Sequence, residues 1–498
     1  MSTTIKVKPL GASPTYNETI VVLESPNIQS SNFKWLVDIY KGEPTDSDYT
    51  LLSSIVVLPN PDGYGVIDFH RHIENHITTD FYPSDKDSVI SHIEGSGFKW
   101  SFKVTEKFDN TVWRFAANFS PTGAFVGFQN STSHPFLVGD VVTVLQDSGF
   151  SHSEYESSTV LITGTPSETK VVTDISYQGN TTFPEAGLMT LNDTSTRTTE
   201  QVFTTGETTM YSFNGALTFQ GFRNWDASDY NMNSTSPITT KFLTDGPRIF
   251  NVTLEDRVWI NGLQNVGTPP VAGFIVTDNG TYSVDNNLNA TGQKFLTQHK
   301  IGPKDLTETT DTSLTALIGS LPAVDTNTTF IAYYQSASTM HTSVSESITL
   351  NIVDDCSKYE SIRFFYMDKL GSYLPITFNK VSKTNVTNKR SSYRQNYGSY
   401  DATSNVWGYT TYDRGNTTYD LVSSEKITCT SDWMNEDEVS MVTSMLNSPI
   451  VYIQDANGNY IAITITTNSY EVKKTVNDKL INYTLSFEYA NTNTSQRG

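Results

Sequence analysis

The stretch KITCTSDWMNEDEVSMVTSMLNSPIVYIQDANGNYIAITITTNSYEVKKTVNDKLINYTLSFEYA, residues 426–490, decides the reading of the whole chain. Its opening, KITCT, has the composition of a short strand. Asn435 followed three residues later by Glu438 is a capping box, and Glu436, Asp437 and Glu438 place negative charge where a helix N-terminus favours it. Val439, Val442, Met445 and Leu446 recur at helical spacing and Pro449 stops the run, so a helix is predicted near 435–447. IVYIQ (450–454) and the alternating Ile461, Ile463 and Ile465 flank an Asn457-Gly458 hairpin turn. Ile481, Tyr483, Leu485, Phe487 and Tyr489 alternate with polar residues and predict a final half-buried strand. This is a packing module, one helix laid among strands, and nothing in it is catalytic.

Working outward, the same grammar holds. The chain has 498 residues, of which 17% are charged and 12% aromatic. That length exceeds a single core, and Thr, Val, Ile, Tyr and Phe favour strands. The expected fold is mainly β and multidomain, with β-sandwich and small-barrel modules and a C-terminal β-rich domain containing one helix. The expected boundaries are an N-terminal β domain at 1–130, continued by 206–257, with a small barrel-like module inserted at 131–205. A β-sandwich-like module follows at 258–353, then a C-terminal domain at 354–498. Within the first domain, WSFKVTEKF (100–108) and WRFAANF (113–119) are expected to form a hairpin about Asp109-Asn110. Short strands every eight to twelve residues through 258–353 suggest immunoglobulin-like size.

The net charge of −20 argues against nucleic-acid binding through a basic face. Two cysteines, Cys356 and Cys429, are no disulfide framework; a single bridge between them and two buried thiols both remain open. The N-terminal residues lack the apolar core of a signal peptide, and no apolar run is long enough for a membrane helix. The Asn-X-Ser/Thr sequons are explained by a composition rich in Asn, Ser and Thr.

GVIDFHRHIENHI (65–77) reads as a strand running into a short helix, and within it His70, His72 and His76, with Glu74 between them and His92 beyond, are the best metal candidates, since the strand form would put His70 and His72 on one face. No Cys or paired carboxylate flanks them, and exposed or hydrogen-bonded histidines are the plainer reading, so no metal or other cofactor is expected. Asp354-Asp355 suits a domain junction, and Glu436-Asp437 suits a helix dipole. No nucleophile elbow, phosphate loop, dinucleotide fingerprint or zinc-protease motif occurs, so no catalytic residue is assigned and no enzyme is expected. The segment 389–420 differs from the rest. It is rich in Tyr and Gly and is expected to be an extended interaction arm presenting Tyr393, Arg394, Tyr397, Tyr400, Trp407, Tyr409, Tyr412 and Arg414, residue types that anchor protein interfaces. Stacking on single-stranded nucleic acid is the lesser alternative.

NFKWLVDIY (32–40), LPNPDGYGVIDF (58–69), CSKYESIRFFYMDKLGSY (356–373), YDRGNTTYDL (412–421), DWMNEDEVSMVTSMLNSPIVYI (432–453) and KLINYTLSFEYANTNTSQR (479–497) form a set. The set resembles virion structural proteins of tailed bacteriophages, the crAss-like phages and their relatives, of the tail, ring or neck type. The resemblance spans roughly 30–130, 205–260 and 350–498. It implies a non-enzymatic subunit in the tail or neck of a virion, assembled in the host bacterial cytoplasm. Its partners would be copies of itself, in a cyclic ring of roughly six- or twelve-fold order, and neighbouring tail, portal or fibre proteins. An acidic lumen would let DNA pass without specific binding, and no membrane is involved. A receptor- or glycan-binding fibre or adhesin is the alternative, with Trp and Tyr in the loops 225–230 and 407–412 as sugar platforms.

Overall fold

A computed structural model of the chain describes residues 3–9, 11–79, 81–93, 95–111, 114–119, 122–128, 136–146, 159–167, 170–178, 185–191, 198–265, 268–277, 280–286, 295–318, 329–335, 343–353, 357–467, 481–491 and 493–494. The protein is mainly β, with several sheets and few helices.

The C-terminal stretch builds one side of the largest sheet. Asn416–Thr430, Thr484–Tyr489, Tyr460–Ile465 and Val451–Gln454 lie side by side, followed by Ile362–Met367 and Tyr373–Phe378. KITCT is the end of a strand that starts ten residues earlier than its composition suggests, because those residues pair outside the core, where burial leaves no alternation to read. The helix Glu436–Leu446 carries the expected cap: the Glu438 N–H donates to Asn435 Oδ1 at 2.8 Å, and the Asn435 N–H donates to Glu438 Oε2 at 3.0 Å. Gly458 closes the Asn457-Gly458 turn with φ +83, a left-handed conformation that glycine adopts without penalty.

The module expected at 258–353 is not a sandwich by itself. Trp259–Gln264 and Leu296–Lys300 extend the large sheet beyond Tyr373–Phe378. The strands Ala272–Thr277, Gly280–Asp285, Thr315–Ile318, Thr329–Gln335 and Ile348–Ile352, joined by Ile249–Val252, form a separate six-stranded sheet. Its Phe250, Tyr282 and Leu350 share one core with Phe364, Leu374 and Phe487 of the large sheet and with Met441 and Met445 of the helix. The second layer of the sandwich thus comes largely from the C-terminal strands, continued by Trp259–Gln264 and Leu296–Lys300. Spacing alone could not show this, because a strand buried on both faces carries no mark of its partner.

In the N-terminal part, Ser31–Lys41, Thr50–Val57, Gly97–Thr111 and Thr208–Phe213 form a sheet with Ala12–Pro14. A smaller sheet of Thr4–Val7, Ile20–Glu24 and Tyr64–Asp68 shares its core, through Trp35, Trp100 and Phe102. The hairpin expected about Asp109-Asn110 does not form. Gly97–Thr111 runs straight through both residues, which pair with Glu200 and Thr199 of Thr198–Thr204. Beyond this neck Arg114–Phe119, Thr122–Phe128, Val141–Gln146, Thr159–Ser167, Lys170–Gln178 and Glu185–Leu191 close into a six-stranded barrel. Val126, Val142, Val144, Val160, Ile162 and Val171 are buried. The insert therefore spans 114–191 in place of 131–205: its first two strands lie ahead of residue 131, and Thr198–Thr204 belongs to the N-terminal sheet.

Candidate functional site

The arm is a β-hairpin. Lys383–Arg394 pairs antiparallel with Asn416–Thr430, from Lys383 opposite Thr428 to Arg394 opposite Asn416, with a bulge between Ser391 and Ser392. Among the described residues the hairpin is anchored at its base. Residues 426–430 pair with 484–488, and Val422 and Ser423 pair with Thr494 and Asn493. Lys383–Arg394 is the outermost strand of the large sheet, exposed at every position but Ser391.

The tip has its own local order. Ser399–Asp401 and Val406–Gly408 pair across a short turn in which Asn405 adopts φ 56. The Asp401 carboxylate accepts from the Ser404 hydroxyl at 2.7 Å and the Thr403 N–H at 2.9 Å, which holds it below the usual carboxylate range. The Trp407 Nε1–H donates to the Tyr397 carbonyl at 3.1 Å, and the Tyr397 and Tyr409 rings lie 5.2 Å apart. Gly398 permits this closeness: it has φ +97, and a Cβ there would stand 2.5 Å from the Gly408 oxygen. Gln395 ties the strands together through its N–H to Gly415 O at 2.9 Å and its side-chain amide to Arg414 O at 3.2 Å.

All eight residues singled out from the sequence lie on this hairpin, and all are exposed. Tyr400 is 58% exposed, Tyr409 66% and Tyr412 80%. Tyr393 faces Tyr419, centroids 6.1 Å apart, a ring that the sequence reading did not single out although the same composition marks it. The charge is also distinctive. Between 383 and 420 the basic residues Lys383, Lys389, Arg390, Arg394 and Arg414 outnumber Asp401, Asp413 and Asp420, on a chain whose net charge is −20.

The other candidates fare differently. His70 and His72 lie on a helical turn, His70–Ile73, and not on one strand face; His76 falls in the 3-10 turn that follows. His70 Nδ1 is 2.7 Å from Asp68 Oδ2, His76 stacks on Phe98, and His92 lies on the separate strand Ile90–His92. Among the described residues no three His, Cys, Asp or Glu side chains converge as a metal-binding group. Trp225 and Tyr230 stack on each other at 4.6 Å, half-buried beside Phe213, with the indole N–H donating to the Ala12 carbonyl. Both pack against a satellite core, and Trp225 also lines a cleft of about 350 Å³ with Val7, Ile20 and Phe222. Cys429 is buried, which pushes its thiol up to about 12. Cys356 and Asp354-Asp355 lie outside the described residues, so the bridge question lies there too.

One polar cluster gave no signal in the sequence. Asp368 is fully buried, and burial, then the charge of Asp245, push its carboxyl up to about 8. Four donors oppose that shift: the Leu370 and Ser372 N–H groups, each at 2.9 Å, the Thr244 hydroxyl at 2.6 Å and the Asp245 N–H at 3.1 Å. Asp245 in turn accepts from Ser444 of the helix and pairs with Lys369 at 2.8 Å. A cleft of about 360 Å³ opens beside it, lined by Tyr16, Asn214, Lys369 and Asn447 among others. Its carboxylates are committed to holding the 368–372 turn, the 244–245 loop and the helix together, so the arrangement is a structural joint. Neither a protein-family model nor a curated protein matches this chain.

Proposed function

We propose that this protein is a non-enzymatic structural subunit of a tailed-phage virion. It forms a homo-oligomeric ring in the tail or neck and docks adjacent tail, portal or fibre proteins. One observation carries the reading: a hairpin leaves the sheet edge bearing exposed aromatic side chains, among them the six singled out from the sequence, Tyr393, Tyr397, Tyr400, Trp407, Tyr409 and Tyr412, with Tyr419 as a seventh, and none of them enters a core. Each such ring offers about 150–250 Å² of buriable surface. If about half of that is still available, six rings at about 25 cal/mol per Å² give on the order of 10 kcal/mol gross, before the costs of association. An arm reaching away from its own body suits a heterologous interface, the kind that closes into rings.

Native mass spectrometry and negative-stain microscopy of the purified chain, alone and with its neighbouring gene products, test this reading. Closed rings, and the chain's presence in purified virions, are expected. A strict monomer absent from virions would end the reading. Binding to host-capsule glycans on an array would promote the adhesin alternative, for which the exposed tip residues 407–412 and the half-buried pair Trp225 and Tyr230 are the candidate platforms.

A further inference from the structure

The hairpin is long for something so thinly supported. Isolated two-stranded ribbons are marginal in water; a third strand or a packed face is what normally stabilises them. Here Lys383–Arg394 is exposed along both faces, and among the described residues no strand lies on its outer edge. An open edge of that length is also a template for pairing with another chain. Its four cations, Lys383, Lys389, Arg390 and Arg394, restrict what can pair. Two copies of this edge laid antiparallel would set cation against cation near both ends, which is unfavourable. A seat of opposite charge is the one that these cations favour. Without the arm, the body of this chain is more negative than the −20 of the whole.

We infer that the hairpin seats on the acidic body of a second copy of this chain, and that its outer part becomes fully ordered only on that contact. The inference rests on the assembly reading above and adds to it the partner, the sign of the contact and the coupling to folding. Arm to body is a heterologous contact, so each copy both gives and receives an arm. Duplex or single-stranded nucleic acid is the competing occupant for basic and aromatic residues. The acidity of the rest of the chain disfavours it, because the same field that attracts the arm repels phosphate.

The test uses the full chain and the variant Arg390→Glu/Arg394→Glu/Arg414→Glu, followed by sedimentation across salt and by hydrogen-exchange mass spectrometry. Circular dichroism melts confirm that the variant body is folded. Expected is association of the wild type that weakens as salt rises from 50 to 500 mM, about the range over which exposed charges become screened. The variant should lose about tenfold or more in association. Amides of 384–394 and 416–421 should exchange fast in the dilute monomer and slowly in the oligomer. A wild type that oligomerises equally at every salt, with a variant that matches it, overturns the arm contact but leaves the assembly reading standing. A wild type that stays monomeric at every concentration overturns both. An arm that is protected by added single-stranded DNA, and not by self-association, overturns the inference in favour of nucleic acid.

Discussion

His299 on Leu296–Lys300 is wholly buried, and Gly273 across the core leaves room for its ring: a Cβ there would lie 2.9 Å from His299 Cε1. Burial pushes the imidazole from 6.5 down to about 3. The unfolded chain therefore takes up a proton that the folded chain refuses through this window. The contribution is complete above about pH 6.5 and is lost as pH falls, at up to about 1.4 kcal/mol per unit. His299→Gln, uncharged throughout, should melt lower than wild type at pH 7 but lose less stability between pH 6.5 and 4; parallel Tm-against-pH curves would refute this. Asp368 makes a second prediction. Removing its carboxyl in Asp368→Ala strands four buried or half-buried donors, and about 2–4 kcal/mol should be lost in urea titrations, the cost of leaving neutral N–H and O–H groups unpaired. Neither residue could be picked from the sequence. A lone His or Asp in a strand-rich segment has no distinctive pattern; His299 is enclosed by another sheet, and Asp368 adds Thr244 and Asp245, more than a hundred positions away, to its local donors Leu370 and Ser372.

The helix Glu436–Leu446 is the element that the sequence specified best, because its cap, acidic first turn and apolar stripe agree. Asn435→Ala removes the acceptor for the Glu438 N–H and should cost about 1 kcal/mol, read as a fall in Tm with the β signal otherwise unchanged. The arm was legible as to composition but not as to form, and its strands reach beyond 389–420, to Lys383 and Thr430. Tyr, Gly and Arg marked 389–420 as unlike the rest. That it doubles back as a ribbon depends on pairing in which neither face is buried, so no alternation announced the strands. The strand that runs into a short helix over 65–77 is present as Tyr64–Asp68 and His70–Ile73; because the helix begins at His70, where Asp68 accepts from the His70 backbone N–H at 3.2 Å and holds its ring, His70 and His72 do not share a strand face.

At the scale of the molecule, the barrel is an insert hung from a two-stranded neck. Thr111 pairs with Thr198, so the ends of the insert return to one place. Replacing 114–191 with a short Gly-Asn linker should leave the remaining chain folded. The melting temperature of the remaining chain should move by no more than about 4 °C, the shift of roughly 1 kcal/mol in a large domain. Collapse of the whole chain into an unfolded state would show that the barrel supports its host. The layered core makes the opposite prediction for the rest. Because 258–353 shares its interior with the helix and the C-terminal strands, a chain ending at 353 should be insoluble or molten by near-UV circular dichroism.

The sequence by itself determined what depends on neighbours within a few residues. It determined the strand-rich character, the capped helix, the Asn457-Gly458 turn and an arm whose residues do not suit a core, because propensity, capping and turn chemistry act locally. Only the tertiary structure decided which strand lies beside which: that the second layer of the central sandwich comes largely from the C-terminal strands, that the insert begins at 114, and that the arm is a ribbon open on its outer edge. Partnership between distant strands is settled by complementary buried faces and hydrogen-bond register, and a fully buried or fully exposed strand carries neither in its own sequence.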